Sequence, residues 1–342
     1  MDNLYGKTLE ELTQICEELR FPKYTAKQIA NWLYCKQVCE IAEMTNISLK
    51  AREMLANHYT AEEKKPVENL KSKDGTKKYI FNYGKDVFVE AVVIFDKARA
   101  TLCISSQAGC RLNCAFCATG QSGFKRNLTS GEILNAFRSI EERENITNIV
   151  YMGMGEPLDN WNEVNKSIQI LTSQWGYALS PRRITVSTCG ILPKMKSLLE
   201  ETNCNIAISL HSSNAAQRKR IMPIENSYSM AEIIRFLKNY NWEGQRRLTF
   251  EYIVFEGFNN SERDIMALVS LLKGSNCRLN LINYHSTDNF LGLKGATYSS
   301  MVKFRDMLVS KGVMANIRTS KGEDILAACG LLSGLYDQKN KE

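Results

Sequence analysis

A loop with three closely spaced cysteines constrains this chain more than any other feature. Cys110, Cys114 and Cys117 are separated by three and then by two residues, and Gly109 and Gly120 stand on either side. Three thiolates on one short loop can bind three irons of a four-iron cluster, which leaves the fourth iron without a protein ligand. An open iron can bind a substrate, so we expect chemistry at this cluster loop (residues 105–120).

Two other uses of these cysteines remain open on the residues alone. A structural zinc site normally has four protein ligands, and no second pair follows at suitable spacing. Free cysteines are also often buried as small apolar residues or joined in disulfides. Three cysteines within eight residues of a polar loop bounded by glycines cannot all face a core, which favours the cluster.

The length and composition indicate a globular protein that folds without disulfides. The chain has 342 residues, 44% of them hydrophobic, enough for one large domain and a smaller one. It contains no apolar run near eighteen residues and no signal-peptide pattern, so we expect a cytoplasmic protein with no membrane partner. In that compartment the eleven cysteines are expected to be thiols, metal ligands or catalytic groups.

The N-terminal part, residues 1–62, is predicted to form a small helical accessory domain. Thr8 with Glu11, and Thr25 with Gln28, have the spacing of capping boxes, and apolar residues at helical spacing follow each pair. Such stripes normally pack against each other, so packing is the simpler role of these residues and the domain should have an apolar core.

Residues 63–100 are predicted to form a linker and a β-hairpin extension. The charged segment 62–78 suits a linker with a turn at Asp74-Gly75, and β-branched and aromatic residues predict strands at 79–81 and 87–95. Glu90 interrupts the second apolar run. Its carboxylate lies either on a solvent face or in a site, and alternation along the strand permits both.

From residue 101 to 335 strands and helices alternate, and residues 336–342 are a tail. Strands are predicted at 101–105, 147–152, 183–188, 205–210, 248–255 and 278–283, and helices at 130–143, 161–174, 192–201, 229–240, 261–273 and 299–311. Six βα units imply parallel strands joined by right-handed crossovers. We therefore predict an α/β fold, a partial (β/α)6 barrel whose active site lies at the carboxyl ends of the strands.

The spacing of the cluster cysteines resembles that of the radical S-adenosylmethionine (SAM) superfamily. The neighbouring motifs further resemble the RlmN/Cfr family of RNA adenosine methyltransferases, in family order from about residue 8 to 335: Cys103-Ile-Ser-Ser-Gln-Ala-Gly-Cys110, Gly123-Phe-Lys-Arg-Asn-Leu128, Met152-Gly-Met-Gly-Glu-Pro157, Leu179-Ser-Pro-Arg-Arg-Ile-Thr-Val-Ser-Thr188, Ser209-Leu-His211 and Ala327-Ala-Cys-Gly330. The resemblance implies a radical SAM barrel, a [4Fe-4S] cluster on the three cysteines and an N-terminal RNA-binding domain.

The resemblance also implies a set of SAM-contacting residues. They are Gly155, Glu156, Ser187, Ser209, Leu210, His211 and, at the sixth strand, His285, which stands where the family has an asparagine. Without the resemblance, the glycines before Glu156 suit a tight turn, and the serines and His211 are ordinary polar residues at strand ends. His285 can still donate or accept a hydrogen bond, but its contact with SAM is the least secure of these.

The resemblance assigns Cys329 as the residue that is methylated by one SAM and carries the carbon to be inserted. Cys103 would pair with it in a transient disulfide, and Glu90 coincides with the family's proton acceptor. Either Cys103 or Glu90 could remove the proton from the adenine ring. On the residues alone, a buried free thiol is the simpler use of Cys329, and the other six cysteines are assigned to packing: Cys16, Cys35, Cys39, Cys189, Cys204 and Cys277.

The implied function is methylation of carbon 2 of an adenosine in 23S rRNA and in tRNA, as in the RlmN branch. The alternatives are methylation of carbon 8 of the same ribosomal adenosine, as in the Cfr branch, and a non-catalytic metal-containing RNA-binding module. The implied reaction uses two SAM molecules per turnover and an external reductant of the flavodoxin or ferredoxin kind. The net charge of +7 is compatible with RNA but does not demand it. Basic pairs suited to phosphates, each of which could equally be a solvated charge pair, are Lys125-Arg126, Arg182-Arg183, Arg218 with Arg220, and Arg246-Arg247.

Overall fold

The protein is described here from a computed structural model, which covers residues 1–242, 246–285 and 292–334. The predicted tail at 336–342 lies outside these residues. No helix within the described ranges combines the length and the apolar character needed to cross a membrane.

The N-terminal region is helical, as predicted. Its helices are α1 Leu9–Glu18, α2 Tyr24–Ala30, which continues as a π-helix over Asn31–Cys35, and α3 Leu49–His58. Thr8 caps α1 in a complete capping box with Glu11. The capping prediction for Thr25 is wrong, because α2 already begins at Tyr24 and Thr25 therefore lies inside its first turn.

The strands of the described residues form one large sheet and two short pairs. Their bounds are β1 Asp2–Asn3, β2 Tyr59–Thr60, β3 Glu68–Lys71, β4 Lys77–Asn82, β5 Phe88–Asp96, β6 Arg99–Cys103, β7 Gln107–Gly109, β8 Phe124–Asn127, β9 Asn148–Tyr151, β10 Ile184–Thr188, β11 Asn205–Ser209, β12 Leu248–Val254, β13 Cys277–Asn283 and β14 Ala315–Arg318. The large sheet has the order β14-β13-β12-β11-β10-β9-β6-β5-β4-β3. In this sheet β6 and β9 to β14 are parallel, and β3, β4 and β5 extend the sheet beyond β6 in antiparallel pairs.

Helices connect the parallel strands. The remaining helices are α4 Ala118–Gln121, α5 Ser130–Arg138, α6 Trp161–Thr172, α7 Leu192–Glu201, α8 Ala215–Ile221, α9 Met230–Asn239, α10 Glu262–Leu272 and α11 Tyr298–Ser310. One continuous core fills the space between helices and sheet and includes side chains from the N-terminal helices. Apolar residues at helical spacing supply the helix side of this core, which is why the alternating pattern of the sequence predicts the layers.

The predicted fold class is confirmed, with differences at the margins. All six predicted strands and six predicted helices of the barrel are present, although α5 ends at Arg138 rather than at residue 143. The strands β3 and β14 were not predicted. Their sequences, Glu-Asn-Leu-Lys and Ala-Asn-Ile-Arg, have little intrinsic strand preference, and pairing with β4 and β13 gives them their conformation.

The N-terminal region packs on the barrel through a contact between backbones. A Cβ atom on Gly131, at the start of α5, would lie 2.3 Å from Tyr5 O, so this position admits only glycine without a shift of the main chain. Ser130 Oγ also donates to Gly6 O at 2.7 Å. The guanidinium of Arg138, buried in α5, lies 4.4 Å from the centre of the Tyr5 ring and donates to Ala61 O. These contacts join the two parts of the chain.

We expect Gly131→Ala to lower the free energy of unfolding by about 1–3 kcal/mol, because the added methyl group forces the two backbones apart. Urea unfolding of the purified protein measures this loss. Gly312→Ala is the matched control: Gly312 has a φ of +87° but no atom within 4 Å of its Cβ position, so only the backbone conformation costs stability there, about 1 kcal/mol. A smaller loss at Gly131 than at Gly312 would contradict the steric argument.

Candidate active site

A cavity at the carboxyl ends of the parallel strands gathers most of the predicted site residues. It is lined by the three cluster cysteines and by Gly155, Glu156, Ser187, Ser209, His211 and Cys329. Four predicted residues are not in its lining: Glu90, Cys103, Leu210 and His285. The strands end together at this edge of the sheet, so residues far apart in the chain meet in one small volume.

The cluster loop is held in shape by tight backbone contacts. Its three cysteines follow β7. The pairing of β7 with β8 requires Gly109, because a Cβ there would lie 1.7 Å from Gly123 O. Cys117 N donates to Cys114 O at 3.1 Å, and Gly120 packs against Cys114 N. Burial raises the pKa of the thiols of Cys110 and Cys117 above the usual range. Metal binding at these thiols would therefore displace protons.

The arrangement of these thiols fits an iron–sulfur cluster. Within the described residues, no group of three or more His, Cys, Asp or Glu side chains converges as the ligands of a single metal ion would. A four-iron cluster does not need such convergence, because each thiolate binds a different iron. All three cysteines line one cavity, and they do so beside the residues expected to bind SAM.

Glu156 lies in this cavity as a buried carboxyl group. Gly155, with φ +93°, turns the chain after β9, and a Cβ there would lie 2.5 Å from Gln107 Cβ. Glu156 Oε1 accepts a hydrogen bond from Leu158 N (3.0 Å) and Oε2 accepts one from Cys189 N (2.8 Å). Burial raises the pKa of Glu156. A carboxyl group fixed in this way can accept hydrogen bonds from an ammonium group brought into the cavity.

His211 is a neutral hydrogen-bonding group. Its Nδ1 accepts a hydrogen bond from Ile253 N (3.0 Å), so its proton is on Nε2, the atom free to donate. Burial, together with the nearby charge of Arg218, lowers the pKa of His211 to about 3. Its backbone has a φ of +52°, a strained conformation that Asn259 supports by donating to His211 O.

Leu210 and Arg218 support the site without lining its cavity. Leu210 is buried in the core, and its backbone N–H donates to Glu251 O (2.9 Å). Arg218, considered above as a residue for binding phosphate, is fully buried and pairs with Glu225. Its guanidinium donates to the carbonyl oxygens of Cys189, Ser209 and Leu210, so it fixes strand ends instead of facing solvent.

The two predicted catalytic cysteines come together from opposite ends of the barrel sequence. Cys103 is buried at the end of β6, and burial together with the negative charge of Cys329 raises the pKa of its thiol. Cys329 is exposed as a whole residue but lines the cavity, and loss of hydration there, with the charge of Glu251, raises the pKa of its thiol. Both cysteines are free thiols in the structure.

Glu90 is buried and holds the segment that carries Cys329, here called the Cys329 loop (residues 322–334). Glu90 Oε1 accepts hydrogen bonds from Ser333 N (3.0 Å) and Gly334 N (2.7 Å), and Oε2 lies 3.0 Å from Lys78 Nζ. Lys78 Nζ also donates to Leu326 O at 3.4 Å. The solvent-face alternative for Glu90 is therefore wrong, since a bulge-free β5 turns its side chain toward this loop.

The Cys329 loop is fastened at two further places. Gly322 N donates to Asp74 Oδ2 (2.8 Å), and Ser72 Oγ donates to Asp324 Oδ1 (2.6 Å), so the turn between β3 and β4 holds its first residues. On the other side, Ala118 N donates to Gly330 O (2.8 Å). The Cys329 loop is thus attached to the β extension at one end and to the cluster loop at the other.

His285 is separated from the other SAM-contacting candidates. Its Nε2 lies 2.6 Å from Ser320 Oγ and 3.4 Å from Glu323 Oε1, and it is not part of the cavity lining. In the described structure it therefore contacts the segment that leads into the Cys329 loop.

Two residues of the cavity were missed by the sequence analysis. Glu251, on β12, is buried in the lining beside Ser209 and accepts a hydrogen bond from Asn280 Nδ2 (2.8 Å); burial raises its pKa. Cys189, which was assigned to packing, lines the cavity and forms a side-chain hydrogen bond with Cys114. This hydrogen bond, together with burial, raises the pKa of the Cys189 thiol. Glu251 is the one charged residue of β12. A charged residue within a mostly apolar strand is the sequence signal that could have identified it.

The other cysteines assigned to packing divide into two groups. Cys16, Cys204 and Cys277 are buried in the core, as predicted. Cys35 is exposed, and Cys39 is half-buried beside Arg138, so neither is a core residue.

Comparison with known proteins identifies the family. Residues 104–269 match the radical SAM superfamily, and residues 2–60 match the family described as the ribosomal RNA large subunit methyltransferase N-terminal domain. A protein of Bacteroides thetaiotaomicron named probable dual-specificity RNA methyltransferase RlmN is 50% identical over 99% of this chain and 98% of its own. A Phocaeicola vulgatus protein of the same name is 51% identical over 99% of this chain and 97% of its own. The chain belongs to the RlmN family.

A solved structure supports the same family at the level of the fold. The crystal structure of a radical SAM methyltransferase from Sphaerobacter thermophilus superposes with a TM-score of 0.90 at 34% identity, covering 98% of this chain and all of that one. The radical SAM fold of this RlmN-family chain is therefore established, and the family implies SAM, an iron–sulfur cluster and an RNA substrate.

We expect Lys78→Met to cost about 3 kcal/mol or more of unfolding free energy, because it leaves the buried Glu90 carboxylate without its cation. Urea unfolding measures the loss, and alkylation of Cys329 followed by mass spectrometry should become faster as its loop loosens. Lys73→Met, on the exposed side of the neighbouring turn, is the control for removing a lysine charge. The double variant Lys78→Met, Glu90→Gln should recover part of the stability; no recovery would count against the ion pair.

We expect the imidazole of His211 to remain neutral, with its proton on Nε2, from pH 5 to 8, because its pKa is lowered to about 3. Nitrogen-15 NMR of histidine-labelled protein reports both the tautomer and any titration. The chain has three histidines, so the variants His58→Asn and His285→Asn assign the remaining signal. A titration of that signal with a midpoint near 6.5 would contradict the buried, hydrogen-bonded state.

Proposed function

We propose that this protein methylates carbon 2 of a specific adenosine in 23S rRNA, and of adenosine in tRNA, through a methyl group carried on Cys329. The observation that carries the proposal is the meeting of Cys329 with the cluster loop and the SAM-contacting candidates in one cavity, with Cys103 close behind. The printed name of the relatives, dual-specificity RNA methyltransferase, supports two classes of RNA substrate. We place the enzyme in the cytoplasm.

The proposed cofactors are a [4Fe-4S] cluster on Cys110, Cys114 and Cys117 and two SAM molecules per turnover. When bound, they would supply a methyl group to Cys329 and then a 5′-deoxyadenosyl radical. Glu156, with both oxygens already fixed by backbone N–H groups, would bind the ammonium group of SAM. His211 Nε2–H, Ser187 and Ser209 would provide further hydrogen bonds in the cavity, while Leu210 would contribute through its backbone and His285 through the loop it contacts.

Methylation of carbon 2 requires a radical, because this ring carbon has no lone pair with which to attack a methyl sulfonium. The S-methyl group of Cys329 would give up a hydrogen atom, and its carbon would then add to the ring. Once the ring radical has lost one electron, which the oxidised iron–sulfur cluster would accept, a base removes the ring proton. Cys103 Sγ would then attack Cys329 Sγ, so that the carbon–sulfur bond breaks, the methylene carbon takes up a proton, and a Cys103–Cys329 disulfide remains.

The contacts of Glu90 favour Cys103 as the base. Both carboxylate oxygens of Glu90 are engaged, one by two backbone N–H groups and the other by the ion pair with Lys78. Cys103 is near Cys329. Its thiolate form would take the ring proton, and the thiol so formed would pass that proton to the methylene carbon as its sulfur attacks Cys329 Sγ. In this proposal Glu90 acts by holding the Cys329 loop. A flavodoxin-like or ferredoxin-like donor would supply two electrons to reduce the disulfide.

Anaerobic turnover of the reconstituted protein on unmodified 23S rRNA and tRNA, with mass-spectrometric identification of the product, tests the proposal. We expect 2-methyladenosine from both RNAs. Cys329→Ala should abolish methylation, since the carrier is lost, and Cys103→Ala should stop the reaction with RNA still joined to the protein. Cys35→Ser, which alters an exposed thiol outside the cavity, is the control.

Other outcomes of this assay would contradict the proposal. A product of 8-methyladenosine would assign the protein to Cfr-type chemistry, which the comparisons do not favour. Methylation by Cys329→Ala would remove the role of that thiol. The absence of any methylated base from wild-type protein with an intact cluster would overturn the whole proposal.

A further inference from the structure

A second cavity opens beside the active site, at the carboxyl ends of β13 and β14. Its volume is about 380 Å³. Its polar and aromatic lining includes Asn283, Tyr298, Arg305, Asn316, Arg318 and Glu323. Neither the cluster cysteines nor the SAM-contacting candidates line it, and the reaction described above assigns it no step.

Arg318 connects the two cavities. It is the last residue of β14 and lies in register with Ile282, which lines the active-site cavity. Burial raises the pKa of Glu251, and the positive charge of Arg318 opposes that rise. The charge of Arg318 also opposes the rise in the pKa of the Cys329 thiol. The guanidinium of Arg318 therefore stands near the carbon carrier while facing the second cavity.

The two arginines of this cavity are available to an incoming anion. Arg318 is exposed, and no carboxylate in the described part of the chain forms an ion pair with it. Arg305, on α11, forms an ion pair with Asp306, the next residue, at 2.7 Å. This pair is solvent-exposed and contributes little to stability. The carboxylate of Glu323 is directed at His285 (3.4 Å). An anion could thus approach both guanidinium groups without breaking a buried pair.

An exposed aromatic ring completes the cavity. Tyr298, at the start of α11, is 72% exposed, which leaves its ring face open to a base. Arginine forks match phosphate oxygens in a bidentate way, and aromatic rings stack on bases of any sequence. Guanidinium groups and a ring in one cavity beside Cys329 have the chemistry of a nucleotide site.

We propose that this second cavity binds a nucleotide of the RNA adjacent to the target adenosine, with Arg318 and Arg305 on its phosphate and Tyr298 stacked on its base. The inference rests on the proposed RNA methyltransferase function and deepens it. Holding the neighbouring nucleotide here would fix the strand while the target base enters the first cavity and reaches Cys329.

The test is equilibrium binding of the tRNA and rRNA fragments by the full-length protein over a range of salt concentrations. Arg318→Ala should weaken binding about tenfold at physiological salt and lower the salt slope by about 0.7–0.9, as expected for one lost phosphate contact. Arg305→Ala, on a different element, should have the same kind of effect. Tyr298→Ala should weaken binding without changing the slope. Arg318→Lys should keep the slope and lose part of the affinity.

Lys303→Ala is the matched control. It removes one positive charge from the same helix as Arg305, but Lys303 is exposed and does not line the cavity, so RNA affinity and slope should remain those of the wild type. Unfolding curves check that each variant is folded. If wild-type protein binds and methylates RNA while the folded Arg318→Ala and Arg305→Ala variants keep its affinity and slope, the nucleotide site is overturned and the proposed function stands. If wild-type protein neither binds nor methylates RNA, the proposed function itself fails.

Discussion

The buried ion pair between Lys78 and Glu90 determines where the thiol of Cys329 stands. One oxygen of Glu90 binds Lys78, and the other binds the backbone just after the cysteine, while Lys78 reaches the backbone just before it. A buried charge pair is costly to form and costlier to break, so the loop has little freedom to sample other positions. The antiparallel strands that carry this pair are thus part of the active site, although they lie outside its cavity.

The opposite wall of the cavity depends on backbone carbonyl groups held by Arg218. This one cation, buried and balanced by Glu225, binds carbonyl oxygens that follow two neighbouring strands. Burial keeps His211 neutral, and the charge of Arg218 adds to this effect, because a second positive charge beside the imidazole is unfavourable. The two walls therefore use the same device: a buried ion pair organises polar backbone at the ends of strands, and the cavity between them receives the reacting groups.

Much of this arrangement could be predicted from the sequence. The alternation of apolar strands and helices gave the parallel barrel, and strand ends gave the positions of Glu156, Ser187, Ser209 and His211. The role of Glu90 and the position of His285 could not be predicted, because both depend on a loop that arrives from the other end of the chain. Glu251 was also missed: its charge in a largely apolar strand was a local signal, but its place in the cavity follows from the packing of neighbouring strands, which no local pattern contains.

Within residues 1–242, 246–285 and 292–334 the sheet does not close on itself, with β3 at one end of the strand order and β14 at the other. Exposed strand edges invite pairing with the edge of another molecule, and short strands that carry charges discourage it. Each terminal strand has four residues, with Glu68 and Lys71 on β3 and Arg318 on β14. An open sheet leaves one side of the cavity unwalled by strands, and short charged edge strands keep this opening from pairing with another copy of the chain.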